Sequence, residues 1–173
     1  VQVGKPVRST PVFQAEITYI TFNPTWTVPP TILKQDVIPK VQNDPGYLAA
    51  NRIRVFDREG NELSPSSVDW SNPRGIHLRQ DAGPDSSLGQ VVIRFPNDYS
   101  IYLHDTPHRE LFAKTVRATS SGCIRVENPL QLVELLFNDP VRWNSEGIQK
   151  QLANGRTENI QLPVKVPVLL AYW

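Results

Sequence analysis

Methionine is absent from the 173 residues and cysteine occurs once, at Cys123. A single cysteine excludes an internal disulfide. It also excludes a Cys-rich zinc site, because Cys123 and three scattered histidines offer no ligand spacing. No apolar run approaches the ~18 residues that a membrane-spanning helix needs, so membrane contact is expected only through regions outside this chain. Neither sign of charge dominates. The formal net charge is +1 with no basic block, which argues against a nucleic-acid binder, since such a protein carries a basic patch or stripe. Low-complexity tracts and internal repeats are missing too. The chain opens in mid-pattern at "VQVGKPV" and stops at the strand-like "VPVLLAYW". We read it as a domain of a longer protein, with any targeting segment outside it.

What is present describes a globular domain. Residues 1–173 are long enough to bury a core and are read as one domain. Apolar residues make up 39% and charged residues 20%, an ordinary balance for such a fold. Proline is plentiful at 16 residues, against a usual share of about 5%. "PVFQAEITYITF" (11–22) alternates as a strand does. A helix is expected from Pro29 or Pro30, with Thr27 as a possible cap and Pro39 ending or kinking it. "NRIRVFDREGNEL" (51–63) reads as strand, turn, strand. Residues 43–89 as a whole are polar and rich in Asp, Ser, Pro and Gly, and are read as a loop-heavy excursion. "QVVIRF" (90–95) and "SIYLH" (100–104) are two further strands joined by a turn. "NPLQLVELLF" (128–137) is a helix capped by Asn128, and "SEGIQKQLANG" (145–155) a second one. Strand material with Pro163 and Pro167 closes the chain. The class is α+β, mostly antiparallel and sandwich-like, with a few helices.

The lone cysteine raises a chemical question. It sits in "ATSSGCIRVENP" (118–129), between a flexible Ser-Ser-Gly run and a helix start. Its position alone leaves two readings open: a small buried hydrophobe, or a working thiol. A thiol with its free pKa of about 8.5 needs help to ionise near neutrality, and a histidine is the usual helper. His77 falls in the polar excursion. His108 follows a turn proline, where a solvated histidine is the plain reading. His104 ends a strand. Tyr102 and His104 share one face of that strand, and Ile101 and Leu103 share the other. The aliphatic pair belongs to the core, so Tyr102 and His104 face a loop-built site. Gly122 before Cys123 permits close backbone approach, as an oxyanion hole requires.

The run "LGQVVIRFPNDYSIYLHDTPHRELFAKTVRATSSGCIRVENP" (88–129) resembles the catalytic core of the L,D-transpeptidases of the YkuD type. That family carries a histidine in an H-[GD]-T context, then [ST]-[HS]-G-C-[ILV]-R downstream. "YLHDTP" and "SSGCIR" match both parts in order. "FNPTWTVPPTI" and "RQDAGPDSSLG" resemble the large, lid-bearing Gram-negative branch, so the likeness covers nearly the whole chain. Ser121 stands where many members have a second histidine, which leaves His104 as the base. The resemblance implies Cys123 as nucleophile, with Asp105, by its side chain or its backbone carbonyl, orienting His104. It implies an oxyanion hole from the backbone of Ser121, Gly122 and Cys123, and substrate binding by Tyr102 and Arg125. It implies no cofactor, peptidoglycan tetrapeptide stems as donor and acceptor, 3→3 cross-links, carbapenem β-lactams as inhibitors and a periplasmic location. Residues 43–89 would then be a capping lid. Two rival readings stand beside it. One is an L,D-carboxypeptidase or cysteine peptidase that takes water as acceptor. The other is a non-catalytic cell-wall-binding module.

Overall fold

The computed structural model of the protein describes residues 1–172. In chain order it holds β1 (Val3–Gly4), β2 (Phe13–Phe22), β3 (Trp26–Thr27), α1 (Pro30–Ile32), a π turn (Leu33–Val37), α2 (Ile38–Asn43) and α3 (Tyr47–Ala50). There follow β4 (Ile53–Asp57), β5 (Glu62–Leu63), β6 (Ile76–Gln80), β7 (Val91–Arg94), β8 (Leu103–His104), β9 (Ala118–Ser120) and β10 (Ile124–Arg125). Helices α4 (Pro129–Phe137) and α5 (Ser145–Ala153) and strand β11 (Glu158–Leu170) end the chain. The α+β class and the antiparallel majority read from the sequence both hold; among the described residues only β1–β9 and β8–β10 pair in parallel. The chain forms two compact units, one of Val1–Pro24 with the residues from Ala82 onward, the other of Thr25–Asp81.

The first unit is built on a five-stranded sheet in the order β10-β8-β7-β2-β11. One face of it is the core. Ile20, Ile93, Leu103 and Ile124 project there and meet Val133, Leu136 and Phe137 of α4 and Ile148 and Leu152 of α5. Their spacing puts the apolar residues of α4 on one stripe. Phe22, Phe137 and Trp143 stack with ring centroids 4.3–6.4 Å apart. Proline is placed where its missing N–H does least harm. β11 is an edge strand, and Pro163 falls in its irregular stretch between Gln161 and Val166.

The second unit has its own sheet, β3-β6-β4-β5, and its own apolar cluster. Val37, Val41 and Leu48 from the helices pack on Ile53, Val55 and Leu78 from the strands. The excursion read over 43–89 thus contains more core than its average polarity suggests. The apolar positions lie two apart in very short strands, Ile53/Val55 and Ile76/Leu78, and Ser-Pro-Gly segments dilute them. The helix before it differs as well. It runs on past Pro39 to Asn43, because the π turn just upstream relaxes the ladder where a proline would clash. Thr27 does not cap it; the residue before the first turn is Pro29.

Phe137 is 1% exposed at the centre of the aromatic stack. Phe137→Ala is expected to destabilise the protein by about 3–5 kcal/mol, the range for removing a buried ring. Leu135→Ala, at a position 74% exposed on the same helix, should change little. Urea midpoints of the two variants check the expectation; a loss under about 1 kcal/mol for Phe137 would remove the stack from the core.

Candidate active site

Everything of chemical interest lies on the other face of the five-stranded sheet, at its β10 edge. β10 pairs in parallel with β8, Ile124 opposite Leu103 and Arg125 opposite His104. Ile124 N–H donates to Tyr102 O at 3.1 Å and Val126 N–H to His104 O at 2.9 Å. Side chains alternate along each strand, so Tyr102, His104, Cys123 and Arg125 share one face while Leu103 and Ile124 enter the core. Of the three histidines only His104 is there. His77 stacks on Phe56 in the second unit, and His108 is exposed beside Glu110.

His104 is 5% exposed. Its Nδ1 lies 2.5 Å from the carbonyl oxygen of Asp105. A carbonyl only accepts, so Nδ1 carries the ring proton and Nε2 is left as the basic nitrogen. The Asp105 side chain turns away from the imidazole. Its carboxylate accepts from Arg109 Nη2 at 2.7 Å and from Gln90 N–H at 2.9 Å. Gly89, at φ +60°, makes room for it; a Cβ there would run into the Asp105 carboxyl. Arg109 also donates to Glu127 O at 2.8 Å, which ties the segment after His104 to the segment after Cys123.

The thiol of Cys123 is half-buried. Its sulfur lies 3.8 Å from Ser100 O and is close enough to Tyr102 for the two to influence each other's ionisation. Burial raises its pKa above the ordinary value, against the lowering effect of Tyr102, Arg94 and Arg125. Burial lowers His104 to about 4, helped by the charges of Arg125 and Arg94 and opposed by the Asp105 carbonyl. Burial also raises Tyr102 and lowers Arg125. At neutral pH, thiol and imidazole are therefore both uncharged at rest.

The loop around Cys123 is fastened from the N-terminal segment, which the sequence reading passed over. Gln2 and Arg125 exchange backbone hydrogen bonds at 2.9 Å, and Gln2 Oε1 accepts from Arg125 Nη1 and Thr119 Oγ1. Thr10 Oγ1 donates to Gly122 O at 2.7 Å, and Arg8 Nη1 to Ser121 Oγ at 2.8 Å. Ser120 Oγ donates to Cys123 O and accepts from Gly122 N–H. The Gly122 N–H is turned inward to the Ser120 hydroxyl at 3.1 Å. Among the described residues no partner takes the Cys123 N–H. Arg125 is bound to Gln2, and its Nε is buried with no partner among the described residues. Arg94, also missed, faces Tyr102 across β7 and β8, its guanidinium 4.6 Å from the ring centre. Among the described residues no three His, Cys, Asp or Glu side chains gather as a metal ion would require.

Residues 1–142 match the family profile of YkuD, the L,D-transpeptidase catalytic domain. Over 173 residues the chain is 37% identical to a protein of Haemophilus influenzae named "Putative L,D-transpeptidase", an alignment that covers 98% of this chain and 35% of that protein. The chain thus spans about a third of the length of that curated relative.

The buried neutral imidazole has a measurable sign. An unfolded histidine takes up a proton near pH 6.5, whereas His104 in the fold waits until about 4. The unfolded chain binds more protons in that window, so the contribution is intact above pH 6.5 and is lost as pH falls toward 4. His104→Gln should flatten this part of the stability curve between pH 7 and 4.5, read from urea midpoints. Parallel curves for parent and variant would mean that His104 titrates normally.

Proposed function

The chain belongs to the YkuD family of L,D-transpeptidase catalytic domains, and on that premise we propose that it cross-links peptidoglycan stems through a thioester on Cys123. The observation that carries the reading is the shared face of Tyr102, His104, Cys123 and Arg125, with Nδ1 of His104 held by the Asp105 carbonyl. Holding Nδ1 protonated directs Nε2 to act as base. The Cys123 proton passes to Nε2 as sulfur attacks the amide carbonyl before the terminal D-Ala of a tetrapeptide stem. The carbonyl oxygen gains negative charge, and the free Cys123 N–H is the donor we assign to it. Nε2 returns the proton to the departing amine. D-Ala leaves and a thioester remains. The side-chain amine of a second stem's diaminopimelate then attacks the thioester and loses its proton to Nε2. The thiol is regenerated and a 3→3 cross-link formed.

The rest-state neutrality of the pair suits this sequence. Charge appears on sulfur only during attack, close to Arg94 and Arg125, whose fields favour the thiolate. Asp105 acts through its carbonyl, since its carboxylate is spent on Arg109 and Gln90. The inserted unit Thr25–Asp81 has no step in the chemistry, because every reacting side chain lies outside it; its proposed task is to hold the stem. A periplasmic site of action follows from the substrate. Carbapenems, whose strained carbonyl mimics the donor amide, should acylate the same thiol.

Three outcomes test the proposal. A carbapenem is expected to add one covalent mass to the protein at Cys123, and Cys123→Ala to remove it; an adduct that survives in the alanine variant refutes the nucleophile. His104→Ala is expected to slow acylation by roughly 10²–10⁴, and His77→Ala or His108→Ala far less. With a disaccharide-tetrapeptide, mass spectrometry should show a thioester and then a cross-linked dimer. A hydrolysed tripeptide with no dimer would instead favour the carboxypeptidase reading.

A further inference from the structure

A cavity of about 230 Å³ opens beside the nucleophile, lined by Tyr19, Arg94, Asn97, Ser100, Ile101 and Tyr102 among others. It lies on the chemical face of the sheet. Tyr19 pairs with Arg94 across β2 and β7, and the β7–β8 register sets Arg94 against Tyr102. Ser100 and Tyr102 are both wall residues; Ser100 O lies 3.8 Å from the Cys123 sulfur, and Tyr102 is electrostatically coupled to it. The volume is smaller than the ~300 Å³ at which pockets for drug-sized ligands begin, and it suits a single small amino acid.

The wall is prebuilt. Asn97 Oδ1 accepts from Tyr99 N–H and Ile101 N–H, and its Nδ2 donates to Phe95 O and Ile101 O, all within 2.6–3.2 Å. This ties down the loop that carries Ser100 at φ +55°. Arg94 rises into the cavity and is only half-buried. Its ring contact is Tyr102 and its one hydrogen bond runs from Nε to Thr21 Oγ1 at 3.4 Å. Among the described residues no carboxylate pairs with it. An arginine whose Nη groups are held over an aromatic ring in a preformed hollow, with no anion of its own, is arranged to grip a carboxylate by two parallel N–H groups.

We propose that this cavity is the leaving-group subsite, in which Arg94 binds the free α-carboxylate of the terminal residue that the nucleophile displaces. The inference rests on the reaction proposed above. In an amide donor, three bonds separate the carbonyl carbon from the terminal carboxylate carbon, about 4 Å end to end. A donor with its carbonyl at Cys123 must therefore put its carboxylate within one strand or two of that sulfur. Strands stand about 4.8 Å apart, and Arg94 is two strands from Cys123 with a long side chain reaching back over Tyr102. Held there, the carboxylate fixes the scissile carbonyl against sulfur, so the contact contributes to orientation. It also makes a free C-terminus one residue past the scissile bond a condition of cleavage.

Two measurements test the site, and the first does not depend on transpeptidation. Iodoacetate and iodoacetamide alkylate the same thiolate and differ in a carboxylate. Their rate ratio at one pH cancels any change in the pKa of Cys123. Relative to the parent, Arg94→Ala should lower the iodoacetate-to-iodoacetamide ratio by roughly tenfold, about 1.4 kcal/mol, and Arg94→Lys should restore part of it. A ratio within twofold of the parent in Arg94→Ala overturns the carboxylate site. The second measurement compares thioester formation from a tetrapeptide acid and its C-terminal amide. The parent should prefer the acid by tenfold or more and Arg94→Ala should show almost no preference. A preference that persists in the variant overturns the assignment to the leaving group, whatever the alkylation ratio shows. If the parent forms no thioester from either peptide, the proposed function and the leaving-group assignment fall together, and the alkylation ratio alone decides whether Arg94 binds carboxylates. Circular dichroism of each variant confirms folding.

Discussion

The chemical face depends on a two-residue parallel ladder. β8 and β10 are each two residues long, yet their pairing sets His104 beside Arg125 and Tyr102 beside Cys123. A slip of one residue would turn Cys123 into the core and Ile124 onto the working face, since the side-chain period of a strand is two. So short a ladder is weak by itself. Its register is protected from both ends, by Ile124 in the core and by the bonds that Gln2, Arg8 and Thr10 make to the loop. Each such bond is worth only about 1 kcal/mol net, but together they restrain one short loop.

The same burial that fixes these groups sets their electrostatics. The Cys123 thiol is raised and the His104 imidazole lowered, both chiefly by desolvation. Neither becomes charged easily, and an ion pair at rest is disfavoured. The cations nearby, Arg94 and Arg125, act in a defined direction. They stabilise a thiolate and oppose an imidazolium. Tyr102 joins the two halves. Its ring meets His104 edge-on at 5.7 Å and lies under Arg94, and its side chain is electrostatically coupled to the thiol.

What the sequence made legible was local. Strand alternation separated Tyr102 and His104 from Ile101 and Leu103, and the helix signals marked α4 and α5 to within a few residues. The Cys123 thiol and its neighbours stand inside one contiguous motif and could be named. The residues that hold them could not. Gln2, Arg8 and Thr10 lie more than a hundred positions from the loop they bind, and the parallel pairing of β1 with β9 and the bridge between Gln2 and Arg125 bring them there. Arg94 looked like an ordinary polar position of a strand; its meaning comes from the β7–β8 register. Asn128 was chosen as a cap because of its residue type, yet it makes no capping bond, whereas Asn144 accepts from Gly147 N–H at 2.9 Å. Composition averaged over 43–89 hid a small core because its strands are too short to raise the mean.

The inserted unit leaves the chain after Pro24 and rejoins it at Ala82. Those ends flank β2 and β7, which are antiparallel neighbours, with Phe22 opposite Val91 and Asn23 N–H on Gln90 O at 2.9 Å. Topologically the whole unit occupies the place of a hairpin turn. The entropy of closing a hairpin loop rises only by about 0.6 kcal/mol for each doubling of its length. Its size is therefore nearly decoupled from the stability of the sheet that carries Cys123. Descendants of one ancestor could lengthen, shorten or rebuild this insert while the sheet that carries Cys123 is inherited intact.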